Sequence, residues 1–186
     1  MDNKIPFEQE LLLYPCPTVL VTSKWENIEN VLTVSWTGIA SSHPEYVTIA
    51  IKRNRFSYSL IKNSRKFCIN IPNSDIVDKV DYCGSNSGKE VNKFSACGLT
   101  KAYYDNDYIM ISECPISLIC KVESIHSLGS HDLFISRVIK KMINNSIQSI
   151  HGQLHPFVYF RPYYYDLNDL AIGYYGYTSA EEKPEY

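Results

Sequence analysis

The sequence predicts a mainly β protein, a barrel or sandwich with a few helices packed outside it. Three observations carry that expectation. Seven or more short runs rich in β-branched residues are spread along the chain, turn formers bound them, and helical periodicity is confined to a few brief segments.

In chain order, residues 18–22 (TVLVT), 31–35 (VLTVS), 47–51 (VTIAI) and 67–71 (FCINI) read as strands. Pro15 and Pro17, Asn27 and Asn30, His43-Pro44, Asn63 and Pro72-Asn73 punctuate them. Residues 116–123 begin apolar and then alternate, residues 133–140 alternate nearly throughout, and residues 157–160 (FVYF) add a further strand. Alternation places one strand face in the core and the other in water. Helix is expected over residues 57–62, over 74–82 with Ser74 as N-cap and an end before Gly84, and for one turn within 90–94. In the second of these, Ile76, Val77 and Val80 share a face. No repeat and no linker interrupts the chain, so one domain is expected over residues 1–186.

Charge excludes several classes. Eighteen basic and 20 acidic residues leave a net charge of −2 with no basic stripe, which gives no footing for nucleic acid or an anionic membrane. The first apolar run, Leu11-Leu12-Leu13, is too short for a secretory signal, and no stretch reaches the roughly 20 apolar residues of a membrane helix, so a soluble cytoplasmic protein is expected. The six cysteines form no C-x-x-C pair and have no His partners at zinc spacing; reduced thiols and no metal site are expected. Cys68 and Cys120 should act as small core hydrophobes, while Cys83 and Cys97, which flank a Gly/Ser-rich loop, are left open.

The familiar catalytic signatures for nucleophilic Ser, phosphate-cradling loops, zinc peptidases and dinucleotide folds are absent. What remains is polar and lies at strand ends. Residues 33–44 place Thr33, Ser35 and Ser41 with Trp36, Ile39 and Ala40 around Gly38, offering hydroxyls, amides and one large aromatic. Arg53, Arg55, Ser57 and Tyr58 follow in the run KRNRFSYS. Guanidinium forks match phosphate geometry, and Ser57 at a helix start adds a hydroxyl beside free amides. The loop 83–98, with Ser87, Gly88 and Lys93, reads either as a ligand-approaching loop or as a plain solvent loop. The last third holds Tyr159, Tyr163, Tyr164, Tyr165, Tyr174, Tyr175, Tyr177 and Tyr186, suited to an interface, a cleft or a cover over the barrel.

Taken in sequence, these stretches resemble the flavin reductase-like family of FMN-binding split barrels (Greek-key), which includes the flavoredoxins. The entry strand 14–23 (YPCPTVLVTS), the segment 30–44 ending ASSHP, the run 51–61 followed by FCINIP, the loop 87–94 (SGKEVNKF) and residues 129–138 (GSHDLFISRV) carry the likeness in the family's order. The resemblance implies FMN, with Thr33, Ser35, Trp36, Ile39, Ala40 and Ser41 along the ribityl chain and ring. Arg53, Arg55, Ser57 and Tyr58 would hold the phosphate, and Ser87, Gly88 and Lys93 would close the site. It sets His131 beside the ring or nicotinamide as the catalytic candidate, with a structural histidine in a strand turn as the other reading. It also implies a homodimer and an NAD(P)H-dependent flavin reductase serving an unnamed electron acceptor. The alternatives are a flavoredoxin-like carrier reduced by a partner protein, or a β-barrel interaction module without enzymatic activity. Departures fall at Ser130, Ser136 and Arg161-Pro162-Tyr163, on the nicotinamide side.

Overall fold

The computed structural model describes residues 13–147, 154–160 and 162–167. Its centre is a seven-stranded antiparallel sheet in the order β3-β2-β6-β9-β10-β5-β4. These strands are β2 (Val19–Trp25), β3 (Ile28–Val34), β4 (Thr37–Ser42), β5 (Glu45–Ile51), β6 (Lys66–Ile71), β9 (Ile116–Ser127) and β10 (Asp132–Ile143). The edges β3 and β4 do not pair, so the barrel is split. Only Ser35 and Trp36 separate these two edge strands in the chain, so a two-residue link crosses from one edge of the sheet to the other. The Ala50 amide donates to the Trp36 carbonyl at 2.9 Å and fixes that crossing against β5.

β2 is buried on both faces, which is why its sequence runs apolar instead of alternating. Val19 and Val21 face the barrel interior with Leu32, Ile49, Ile69 and Phe134. Leu20 faces outward, with Val31, into a second core closed by helices and strands packed outside the barrel. α1 (Phe56–Ser64) serves the inner core instead: its Ile61 enters the barrel interior, and its end is set by Arg65 in the left-handed region. A 3-10 turn (Ser74–Ile76) then leads into α2 (Val77–Ser85), and α3 (Lys93–Cys97) follows with Asn92 as its cap, accepting from the Ser95 amide at 3.2 Å. Ile76, Val80, Cys83 and Phe94 belong to the outer core.

Three expectations are corrected here. Ser74 does not cap a helix; its hydroxyl donates to Asp166 at 3.2 Å, and the α-helix proper starts three residues later. Gly84 does not end α2 but lies inside it, because a Cβ there would stand 3.2 Å from the Thr33 Cβ where the helix lies on β3. The third helical turn begins at Lys93, later than the sequence suggests.

Five further strands complete the described residues. β7 (Lys101–Tyr104) and β8 (Tyr108–Ile111) form a hairpin turned by Asp105 and Asn106, both at positive φ. β1 (Cys16–Pro17), β11 (Phe157–Phe160) and β12 (Tyr163–Asp166) form a small sheet that holds residues 14–17 against the barrel's open side. Tyr14 packs on Tyr159 and Phe160, with ring centroids 6.5 and 4.9 Å away. Tyr174, Tyr175, Tyr177 and Tyr186 lie outside the described residues. Among the described residues no helix is long and apolar enough to cross a membrane.

Candidate functional site

Three of the cavities lie along the split in the barrel. Along the seam between β3 and β5 runs a trough made of three adjoining spaces of about 700, 190 and 370 Å³. The largest is walled by residues 14–17, by Ser35, Trp36 and Gly38, by Thr48 and Ala50 of β5, and by His131 and Leu133. The middle one runs over Leu32, Thr33 and Val34 on one side and Ala50, Ile51 and Lys52 on the other. The third is polar and is bounded by Asn30, Lys52, Asn54, Arg55, Ser87, Gly88 and Lys93.

At the broad end the Trp36 and His131 rings lie 4.3 Å apart at 36°, a tilted stack that presents flat surface to the cavity; Trp36 keeps 52% of its surface exposed. His131 Nδ1 shares a hydrogen bond of 2.9 Å with the Ser130 hydroxyl. Partial burial, then the charges of Lys52 and Arg55, hold its pKa below the ordinary histidine value, so the ring is neutral at pH 7.

The narrow end is built for an anion. Arg55 precedes α1 with an extended backbone and no side-chain cap on the helix, and residues 54–56 line the cavity, so the start of α1 adjoins it beside a guanidinium; the Tyr58 amide is already paired with the Arg55 carbonyl at 3.0 Å. Opposite them is Lys93, only 2% exposed, whose ammonium donates to the Cys83 carbonyl at 2.6 Å. Burial, together with the like charge of Arg55, pushes its pKa down. A buried ammonium with one protein acceptor favours an anion in the adjoining space. Ser57 is fully buried in the floor, accepting from Asn30 Nδ2 at 2.8 Å. A Cβ at Gly88 would stand 2.2 Å from Asn30 Oδ1 and 2.8 Å from Phe56, so this approach needs glycine.

The structure gathers Thr33, Ser35, Trp36, Arg55, Ser87, Gly88, Lys93 and His131 around one trough, with Ser57 beneath it. Thr33 takes part through its backbone, since its hydroxyl donates to the Val80 carbonyl. Five candidates lie elsewhere. Ile39, Ala40 and Ser41 lie on β4 away from the three spaces, Ile39 being 86% exposed, and Ala40 falls in a β-bulge.

Arg53 and Tyr58 are turned away as well. Arg53 grips Asp132 through Nε at 2.9 Å and Nη2 at 2.8 Å and also donates to Ser127, while the Tyr58 hydroxyl donates to the other Asp132 oxygen at 2.7 Å. The bonds from Arg53, then Tyr58, hold the Asp132 carboxyl below the usual carboxylate range. Asp132 opposes Ile51 across the β10–β5 ladder. The clamp therefore fixes the neighbours of both residues, Lys52 and His131, on the trough's rim. Lys52 and Asp132 are not singled out in the sequence, and Asn30 reads there as a turn former, whereas it lies inside β3. Lys52 borders all three spaces yet carries no motif; the only prior signal for Asn30 and Asp132 is a polar residue beside apolar strand positions.

Residues 11–168 match the family described as "Flavin reductase like domain". The chain belongs to the flavin reductase-like family. A protein of Archaeoglobus fulgidus is 31% identical over 128 residues, 68% of this chain and 72% of that protein. Among solved structures, a flavoredoxin from Methanosarcina acetivorans matches with a TM-score of 0.82 and 23% identity, covering 91% of this chain and 94% of its own. An FMN-binding protein from Thermus thermophilus, solved with bound 1-cyclohex-2-enone, matches with a TM-score of 0.80 and 20% identity, covering 93% and 98%. At these identities the structural likeness establishes the family's split-barrel fold.

Proposed function

We propose that this chain binds FMN along the trough and works as a flavin-dependent oxidoreductase, reduced by NAD(P)H and serving an electron acceptor of another molecule. The observation that carries the reading is the polarity of the trough. An aromatic-walled space of about 700 Å³ lies at one end, and at the other Arg55, Lys93 and the uncapped start of α1 converge. A planar tricyclic ring with a phosphate tail requires that distribution, and the volumes suit a cofactor-sized ligand. FMN, when bound, supplies hydride acceptance and onward electron transfer; the protein supplies position and electrostatics.

Arg55 and Lys93 bring positive charge to a phosphate, and Ser87 and Gly88 bring backbone close to it. Trp36 and neutral His131 wall the ring end. Lys52 sets an ammonium between the two ends, held in place by the Arg53–Asp132 clamp beside it. Leu13 and Trp36 are exposed apolar residues lining the broad end, which suits a cover by a second copy of the chain. The name of the flavoredoxins, with which the fold aligns along most of its length, supports a second reading: an electron carrier reduced by a partner protein.

The test is spectroscopic. FMN added to the purified protein should bind with quenching of its fluorescence, and anaerobic NADH or NADPH should bleach the flavin band. Bleaching by neither nucleotide, with FMN bound, selects the carrier. Failure to bind FMN removes both readings and leaves a barrel-shaped interaction module.

A further inference from the structure

The six cysteines are free, and two of them touch. The sulfurs of Cys83, in the last turn of α2, and Cys97, the final residue of α3, lie 3.9 Å apart. Cys83 is buried, while Cys97 is partly exposed. Asn86, Ser87, Gly88 and Lys93, one whole side of the polar end of the trough, lie in the chain between these two cysteines. Lys93 joins the two features directly, since its ammonium is hydrogen-bonded to the Cys83 carbonyl while its side chain lines the cavity.

We propose that Cys83 and Cys97 are a dithiol–disulfide site whose oxidation staples the loop between them and tightens the hold on the FMN phosphate. The effect on FMN rests on the reading of the trough given above; the formation of the bond does not. With hydrogen peroxide as oxidant the step balances. The Cys97 thiolate attacks a peroxide oxygen, giving a sulfenic acid and hydroxide, which takes a proton to become water. Cys83 sulfur then attacks the Cys97 sulfur, forming the S–S bond and releasing a second water. Two thiols and one peroxide become one disulfide and two waters.

Closure from 3.9 Å to a bond of about 2.05 Å needs a small approach of α3 to α2 and leaves the intervening loop its present path. The loop's ordering is then met before the ligand arrives, so binding strengthens. Burial, and for Cys83 the neighbouring thiol, raises both thiol pKa values; that of Cys83 goes to about 12. Cys97, less buried and with Lys79 and Lys93 nearby, is the thiol that meets the oxidant first.

The test treats the full chain with hydrogen peroxide, digests it with trypsin without reductant, and measures FMN affinity in parallel. Lys89 and Lys93 lie between the cysteines, so cleavage there leaves peptides joined only by the bond. The expected result is a Cys83–Cys97 cross-linked peptide two hydrogens lighter than the reduced pair. FMN Kd should fall about fivefold, and saturating FMN should shift the dithiothreitol reduction equilibrium towards the disulfide by the same factor, because coupling between two sites is reciprocal. Cys97→Ser should keep the Kd of the reduced protein and not respond to peroxide. Absence of that peptide, cross-linking elsewhere in its place, an FMN Kd that does not fall on oxidation, or a Kd that falls equally in Cys97→Ser overturns the proposal. If the cross-link forms but neither state binds FMN, the trough reading fails along with the stated effect, while the disulfide stands.

Discussion

Arg53 and Arg55 lie two residues apart in one turn between β5 and α1, and their surroundings divide the molecule's two kinds of charge. Arg53 is spent inside the protein, on Asp132 and Ser127, with Tyr58 on the carboxylate's other oxygen. Arg55 has no ion pair among the described residues and faces a cavity that also holds buried Lys93. A cation already matched to a carboxylate has little to offer a phosphate, whereas cations gathered without counter-charge are stabilised when an anion arrives. The comparison predicts that substitutions at the clamp change stability and that substitutions at the cavity change FMN affinity.

The largest effect is expected at the clamp. Asp132→Ala leaves both the Arg53 guanidinium and the Tyr58 hydroxyl without their acceptor, and thermal unfolding should show a drop of many degrees. Arg53→Ala should cost less, since Arg53 is half exposed, and should leave FMN titrations nearly unchanged. Comparable losses of FMN affinity in Arg53→Ala and Arg55→Ala would break the division. The sign with pH follows from the depressed Asp132 pKa. Its stabilisation is present above the unfolded-state value near 4 and is lost as pH falls towards the folded value, so Asp132→Asn should flatten the acid limb of the stability curve.

Gly88 tests the wall of the polar end. Gly88→Ala forces a methyl group to within 2.2 Å of Asn30 Oδ1 unless the loop shifts, and should lower stability by about 1–3 kcal/mol, with FMN binding weakened alongside. At Arg55 the two readouts separate. Arg55→Ala should weaken FMN by roughly 1.5–3 kcal/mol, the scale of a hydrogen bond to a charged group, with an unchanged melting temperature. An unaltered FMN Kd refutes the phosphate assignment.

The arginines also show what the sequence could and could not display. Runs such as residues 18–22 and 67–71 were legible as strands because burial leaves a local mark, an apolar stretch ended by turn residues. The β7–β8 hairpin escaped notice although Asp105-Asn106 is a turn signal, because KAYY and YIMI carry no clean alternation. Gly84 was misread as a stop because its reason for being glycine is Thr33, 51 positions away in sequence and known only once α2 lies on β3. The site followed the same rule. Arg55, Ser87, Gly88 and Lys93 sit in local motifs and line the trough, whereas Arg53 looks equivalent to Arg55 in sequence until β10 brings Asp132 to it. Lys52 matters by where the seam places it, and nothing in its neighbours announces that.

The smallest expected effect lies at the broad end, where geometry is held by stacking and not by charge. Trp36→Ala removes one wall of the ring cavity and the ring that lies against His131, and should weaken FMN by about 0.5–1.5 kcal/mol, the increment of an aromatic pair. His131 sharpens the point. Its pKa is depressed by burial and by Lys52 and Arg55, so the neutral ring is the one that folding favours. That contribution is present above the unfolded value near 6.5 and fades as pH falls through the folded value. Lys52→Met removes one of the two cations named on it, so the His131 titration followed by NMR should move up towards the ordinary histidine value. A titration that stays where it was would mean that burial and Arg55 set the ring's charge and that Lys52 does not act across the seam.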